Sequence, residues 1–380
     1  MQIWTMRKQG LAATILLLVL PAALAERLVV LGCPTVLSGI QAAVGQDFAN
    51  GAQLAVEDLN RQQLVIGGEP VRFKLAVEDD QVDPKQGVVV AQKFVDAHIN
   101  GVIGHLGSAT TYPASPVYER AGIPMVVASA TIPKLAQRGF KTFFRVITND
   151  AALNAALARY ARQTLKTQTM VVIDDRTAYG QGLADGFVEQ AGAQGIKLLG
   201  REYTSDHASD FSAILTRTRA LNPDLIFYGG IYVQAATMLR QMQQLGLHAR
   251  LMGGDMLCVP ELSKLAGPVA VVPTVCGEGG VPLDRMPGGP AWKRRYDARF
   301  GAAAFQIFSP YSYDATMVLA QAMIKADSVD PKVYLPRMRD IDWDGVTRQH
   351  IRFGADGDLR DPLVTLSTFA SGSKSRLDID

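Results

Sequence analysis

GVIGHLGSATTYPASPVYE (Gly101–Glu119) and, almost directly after it, AGIPMVVASATIPKL (Ala121–Leu135) are the stretches whose reading decides the fold. Each is an apolar strand that stops in a cluster of small hydroxyl residues, with a proline behind it that can open a helix. Ser108, Thr110 and Thr111 stand where the first strand ends, and Pro113 is placed for the first helical turn. Ser129 and Thr131 hold the same place after the second strand, ahead of Pro133. Uncommitted N–H groups at a helix start, joined by hydroxyls, suit a carboxylate. In an open α/β sheet the ligand crevice lies beyond the carboxyl ends of the strands, so both loops would face one site. One hydroxyl loop alone reads as a helix cap. Two neighbouring ones, built without a catalytic base, read as a binding site for a small anion or zwitterion.

The same strand-then-helix rhythm extends outward from this pair. Strands are expected at Arg27–Gly32, Val71–Glu78, Gly101–Ile103, Met125–Ala128, Thr169–Ile173, Lys197–Glu202, Leu225–Tyr228 and Arg250–Met252. Helices of period 3.6 are expected at Phe48–Leu59, Gln86–Ala97, Asp150–Leu165, Gly182–Ala193, Phe211–Arg219 and Ala235–Leu245, then at Ser312–Ala326 and Val333–Met338. Short strands at His350–Phe353 and Leu363–Phe369 flank the turn Gly354–Gly357. Apolar strands alternating with helices imply mostly parallel sheets covered on both faces. An internal echo links Val102–Ser129 with LIFYGGIYVQAATMLRQMQQLGLHARLMGGD (Leu225–Asp255), which ends in an acid where the first copy has hydroxyls. Two similar lobes would set these loops opposite each other. Hydroxyls and helix N-termini on one wall, with Asp255 on the other, complement an α-amino acid zwitterion.

The N-terminus points to export. Arg7 and Lys8 precede the apolar run Leu11–Ala25, which closes with Ala23-Leu24-Ala25 ahead of Glu26, the pattern of a cleavable leader. The run is shorter than the roughly 20 apolar residues of a spanning helix, so no stable membrane insertion is expected. Val30-Leu31-Gly32-Cys33 has the look of a lipidation site, but it lies inside ERLVVLGCP, which reads as the first buried strand. Without the leader, 36 basic residues face 36 acidic ones, no footprint for nucleic acid or an anionic membrane. A chain of 380 residues is long enough for two lobes. Cys33, Cys258 and Cys276 are too few for a disulfide scaffold and lack metal-ligand spacing. Either Cys258 and Cys276 pair, leaving Cys33 free, or all three are small apolar core residues.

At these residues the chain resembles the Leu/Ile/Val-binding proteins, the periplasmic receptors of branched-chain amino acid ABC importers. The resemblance runs through Leu37–Gly39, Asp83–Gln86, Val102–Ser115, Ala128–Leu135, Tyr179–Gly186, Phe227–Gly230 and Leu251–Asp255. It implies the two-lobed periplasmic-binding-protein type I fold, an α/β architecture with a doubly wound, mostly parallel sheet in each lobe and a three-segment hinge that closes over the ligand. Lobe 1 would take residues 27–147 and 277–353, and lobe 2 residues 148–276 and 354–380. By position, Ser108 and Thr131 would hold the ligand carboxylate. The Ser129 carbonyl, the Thr131 hydroxyl and Asp255 would take the ammonium. Asp255 stands where well-known members have Glu. Tyr179 and Phe308 would wall the side-chain pocket, with Leu106 beside Ser108. Val44 and Ile231 replace aromatic residues of the family, Tyr232 being a neighbour able to stand in for the second. Val82 and Gly107 occupy the positions of a disulfide seen in some members. The zwitterion end is thus kept while the side-chain pocket is rebuilt, and an aliphatic or larger apolar side chain is expected there. The resemblance also implies a monomer that hands its ligand to a membrane permease and uses no cofactor or metal.

Two other readings compete. Gly180, Gly182 and Gly186 follow a strand, with Glu202 at about the distance of a ribose-binding acid, but DDRTAY intervenes and the glycine spacing is off by one. There is no G-x-S-x-G elbow, and His105, the one histidine near the hydroxyl loops, reads as a loop support rather than a base. No enzyme is expected. A sensor for amides or other small polar solutes could use the same fold. Such chains usually continue into a transmembrane or signalling segment, which does not follow here, so a free receptor is the expectation.

Overall fold

In a computed structural model of the chain, residues 26–267, 274–369 and 373–377 are described, and the expected leader over residues 1–25 lies outside them. The first sheet contains β1 (Arg27–Thr35), β2 (Val65–Ile66), β3 (Glu69–Asp79), β4 (Gly101–Ile103), β5 (Met125–Val127) and β6 (Phe143–Arg145), in the order β2-β3-β1-β4-β5-β6. All its neighbours are parallel except the short β2, which lies antiparallel on β3 at one edge. The second contains β7 (Thr169–Asp174), β8 (Lys197–Tyr203), β9 (Leu225–Gly229), β10 (Arg250–Gly253), β11 (Thr274–Gly279), β12 (Val364–Thr368) and β13 (Ser375–Leu377), in the order β13-β12-β11-β10-β9-β7-β8. Only β12 runs against the others, antiparallel to both β11 and β13. Central strands such as β9 and β11 are buried throughout, which is why they read as unbroken apolar or small-residue runs.

Helices α1 (Ala42–Arg61), α2 (Pro84–Asp96) and α3 (Ser108–Ala121) cover the first sheet, and α4 (Asp150–Gln163), α5 (Ala178–Ala193), α6 (Ser212–Leu221), α7 (Tyr232–Gln244) and α8 (Glu261–Ala266) belong to the second. The chain then returns to the first lobe through α9 (Gly289–Phe300), α10 (Ser309–Ala326) and α11 (Pro331–Met338), α10 packing on α1, β4 and β5. Several helices begin earlier than their periodicity indicates, because polar caps set the start. The Asp83 carboxylate accepts from the N–H groups of Lys85 and Gln86, both at 2.8 Å, with Pro84 in the first turn. Thr177 caps α5 by accepting from Gly180 N–H at 2.9 Å.

The glycines of the discarded dinucleotide pattern have a packing role. A Cβ on Gly180 would stand 2.4 Å from the Gly229 carbonyl, and one on Gly186 would stand 2.5 Å from the Asn154 amide. They let α5 lie directly on β9 and α4. Cys33 is a free thiol at the buried centre of β1, as a strand residue and not a lipidation site would be.

The chain passes between the sheets after β6, after β11 and ahead of β12. Two expected boundaries shift. The break at 276/277 falls inside β11, which belongs to the second sheet as far as Gly279. The break at 353/354 also falls early, because the turn Gly354–Gly357 still docks on β6 through Arg145 N–H to Gly357 O at 2.9 Å. Residues 350–353 make isolated bridges, Ile351 with Trp343 and Phe353 with Leu359, rather than a strand. The expectation missed β6, which is only three residues long and ends in Arg145, and β11, whose glycines and Glu278 interrupt the apolar signal.

Of the two cysteine readings, pairing holds: Cys258 and Cys276 form a disulfide that ties the segment after β10 to β11, and both are fully buried. It closes a loop of 18 residues, and loops of this size are worth about 3 kcal/mol by restriction of the unfolded chain. The double replacement Cys258→Ala with Cys276→Ala should therefore lower urea-unfolding stability by about 2–4 kcal/mol and abolish the difference between reduced and oxidised samples. An unchanged midpoint would show that the bridge carries no stability.

Candidate functional site

The topological switch of the first sheet lies beside β1, flanked by β3 and β4, and that of the second beside β7, flanked by β8 and β9. Between their carboxyl ends lies a cavity of ≈ 480 Å³, within the range of small-molecule sites. Its wall brings together Leu106, Ser108 and Ser129 from the ends of β4 and β5, Phe308 ahead of α10, and Tyr179, Ile231 and Asp255 from the second lobe.

The first wall is built from the two hydroxyl loops. Ser108 opens α3, so the amides of its first turn have no helical acceptors. The Ser108 and Thr131 hydroxyls are both buried without a partner among the described residues. The Ser129 hydroxyl donates to Leu106 O at 2.8 Å, binding one loop to the other and leaving its own carbonyl unused. His105 supports this wall from below: its Nδ1 lies 2.8 Å from Asp80 and its Nε2 lies 3.0 Å from the Tyr118 hydroxyl, all three buried.

The second wall centres on Asp255, which follows β10 and is 2 % exposed. Tyr179 Oη donates to Asp255 Oδ1 at 2.7 Å, and Met256 N–H donates to the same oxygen at 2.9 Å. Both bonds fall on Oδ1, and among the described residues no hydrogen bond reaches Oδ2. Burial pushes the Asp255 carboxyl up to about 6, and the Glu278 charge adds to the rise, while the Tyr179 and Met256 bonds oppose it. The Tyr179 hydroxyl is pushed well above its usual range by burial and then by the charges of Asp255 and Asp150. A buried acid with a free oxygen and no cation beside it is a receptor for one.

Three expected site residues do not line the cavity. Val44, in the first turn of α1, is 1 % exposed and joins Val36 and Phe48 in the core of the first lobe. The chain enters α1 through the short turn Gly39–Gln41, which puts Val36 and Ile40 at the cleft in its place. Thr131 is buried just behind the wall, beside Asp150. Tyr232 is buried and spans the lobes, donating from Oη to Ile40 O at 3.0 Å.

Sequence reasoning missed two supports. Asp47, on α1, accepts from the N–H groups of Ile307, Phe308 and Ser309 at 3.0, 2.9 and 3.1 Å and from Tyr296 Oη at 2.8 Å. This fixes Phe308 against the cavity from 260 residues away, with no local signal. Asp175, in the DDRTAY run, lines the cavity, and burial pushes it up to about 6. Among the described residues, no cluster of His, Cys, Asp and Glu could hold a metal ion.

Two doubly wound lobes with a small-molecule cleft at their strand ends are the architecture of a solute-binding protein. The periplasmic binding protein family model matches residues 29–371, and the chain belongs to that family, among the Leu/Ile/Val-binding proteins. It is 33 % identical over 319 residues to a Leu/Ile/Val-binding protein homolog of Brucella suis, covering 84 % of each chain. It is 34 % identical over 304 residues to an amino acid binding protein of Pseudomonas aeruginosa, covering 80 % of each. Its fold superposes on the leucine binding protein LivK of Thermotoga maritima with a TM-score of 0.83 at 25 % identity, covering 92 % of this chain and 98 % of that one. An ABC transporter substrate-binding protein of Desulfitobacterium hafniense, solved in complex with Leu, gives a TM-score of 0.76 at 27 % identity, covering 92 % and 100 %.

Without ligand, the charge on Asp255 works against folding. Its folded value of about 6 lies above its ordinary 3.8, so the native state holds the proton more tightly and stability falls as pH rises through that window. Asp255→Asn, which keeps an acceptor for Tyr179, should be more stable than wild type at pH 8 by up to about 3 kcal/mol. The gain should vanish near pH 3.5. Melting curves at both pH values check this, and equal stability at pH 8 would contradict the buried, uncompensated charge.

Proposed function

We propose that the protein is an exported solute receptor that binds an α-amino acid with an apolar side chain between its lobes and delivers it to the permease of an ABC importer. One observation carries the reading. The Ser108 hydroxyl, buried without a partner among the described residues, opens α3 on one wall with the Thr131 hydroxyl buried behind it, while Asp255 presents from the other wall a carboxylate whose bonds from Tyr179 and Met256 both fall on Oδ1. The Ser108 hydroxyl and the first-turn amides suit a carboxylate, and Asp255 with the Thr131 oxygen suits an ammonium, so only a ligand bearing both satisfies the cleft when it closes. The printed identities of the relatives agree with this class of cargo.

The side-chain end is apolar. Leu106, Val36, Ile40, Ile231 and Phe308 supply it, and Tyr179 spends its hydroxyl on Asp255. Among the cavity residues the only basic side chain is His207, at the exposed rim, so a second carboxylate on the ligand would be buried without a partner. The receptor works as a monomer after removal of the leader at Ala25.

Thermal-shift and calorimetric titrations with Val, Leu, Ile, Phe, Glu and Lys test the reading. A bound apolar amino acid should stabilise the protein by about 4 kcal/mol at a thousandfold excess over Kd. Asp255→Asn should weaken binding by about 1.5–3 kcal/mol, although it stabilises the empty protein. Ser108→Ala and Thr131→Ala should weaken all amino acids alike and leave their ranking intact. Tight binding of Glu or Lys with none of the apolar ligands would overturn the assignment, and a response to simple amides alone would favour a sensor.

A further inference from the structure

Asp150, the first residue of α4, has an environment that its helix position does not explain. Its capping neighbour Asn149 already satisfies the N–H groups of Ala151 and Ala152, at 3.0 and 3.2 Å. Asp150 itself is fully buried, and neither of its carboxyl oxygens has a hydrogen-bond partner among the described residues. It is fastened to the ligand wall, since its N–H donates to Thr131 O at 3.0 Å. The Thr131 hydroxyl, also without a committed partner, stands next to its carboxyl.

The charged groups around it leave Asp150 uncompensated. Arg145, from the end of β6, is the one nearby cation, and its donors go to Asp358 and to the carbonyls of Ala130 and Ile132. Asp255, from the loop after β10, faces it as a like charge, and Tyr179 on α5 lies in the field of both acids. Glu278 on β11 acts on Asp255 and is itself paired with Lys374 at 3.0 Å. Burial, and after it the Asp255 charge, pushes Asp150 up to about 7, against the weaker pull of Thr131 and Arg145.

We propose that Asp150 is a positioning residue for the amine end of the cleft: without ligand it shares its time between the protonated and ionised forms near neutral pH, and it ionises fully when an ammonium group is taken up. This rests on the amino-acid reading above. The ligand cation supplies the counter-charge that Asp255 and Asp150 lack. The O–H bond of the Asp150 carboxyl then breaks, its proton passes to water, and the carboxylate accepts the Thr131 hydroxyl. That turns the lone pairs of Thr131 Oγ1 toward the ammonium. Uptake is thereby coupled to release of a proton.

Two measurements test this. In the ligand-free protein, the carboxyl carbon resonance of Asp150, assigned by its absence in Asp150→Asn, should titrate with a midpoint near 7. Titration of L-leucine at pH 7 by calorimetry, in phosphate and in Tris, should show release of about half a proton by wild type. Asp150→Asn should bind L-leucine with that release mostly removed, an effect that a purely structural helix residue would not have. A carboxyl midpoint below about 5, in the ordinary range, or the same proton release in variant and wild type, would overturn the proposal. Absence of any heat with L-leucine would instead count against the ligand reading, so the two failures are distinguishable.

Discussion

The buried Arg145 guanidinium is the constraint on which the rest of the molecule depends. It is wholly inaccessible and donates to Asp358 Oδ1 at 2.7 Å, Asp358 Oδ2 at 2.9 Å, Ala130 O at 3.1 Å and Ile132 O at 3.0 Å. Asn149 donates to the same Asp358 at 2.8 Å while capping α4. One side chain thus ties the hydroxyl loop after β5 to two of the three passages between lobes. Nearby, Thr148 Oγ1 donates to Leu363 O at 2.6 Å, lacing the same two passages together further along. A buried charge is tolerable only with every donor satisfied, so this knot permits a single geometry. The hydroxyl loop and these two passages are therefore held together as one unit.

Around that anchor the cleft is stocked with groups whose partners are missing. The Ser108 and Thr131 hydroxyls and the Asp150 carboxyl, without partners among the described residues, would each be a liability in an ordinary core. Ser108 and Asp255 line the cavity with Thr131 and Asp150 buried close behind it, and this grouping beside a cleft is what separates a binding site from a badly packed interface. The empty protein accepts this electrostatic strain, and the covalent tie between Cys258 and Cys276 holds the loop that carries Asp255 in place against it. Tyr232 reaches from the second lobe to the Ile40 carbonyl, a direct hydrogen bond between the lobes.

Much of this was legible in the chain. Strand-then-helix alternation, the prolines and glycines that punctuate it, and the two hydroxyl loops followed by prolines are local signals, and they determined the layered α/β class, the strand ends that carry the site, and Ser108 and Ser129 as cleft residues; the internal echo added Asp255, and the family resemblance added Tyr179. Local signals act within a turn or two, where backbone propensity and capping decide the outcome. Other features were decided only in three dimensions. Whether Val44 or Ile40 faces the ligand depends on the short turn ahead of α1. The limits of the lobes follow from strand pairing, in which glycine-bearing β11 is added to the second sheet by its neighbours. Asp47 reaches Phe308, and Arg145 reaches Asp358, across more than two hundred residues. Asp150 is an unremarkable first-turn acid in the sequence, and it becomes an uncompensated charge only because folding removes water from it and spends the nearest cation elsewhere. Solvation and counter-charge belong to the assembled interior, and no stretch of sequence carries them.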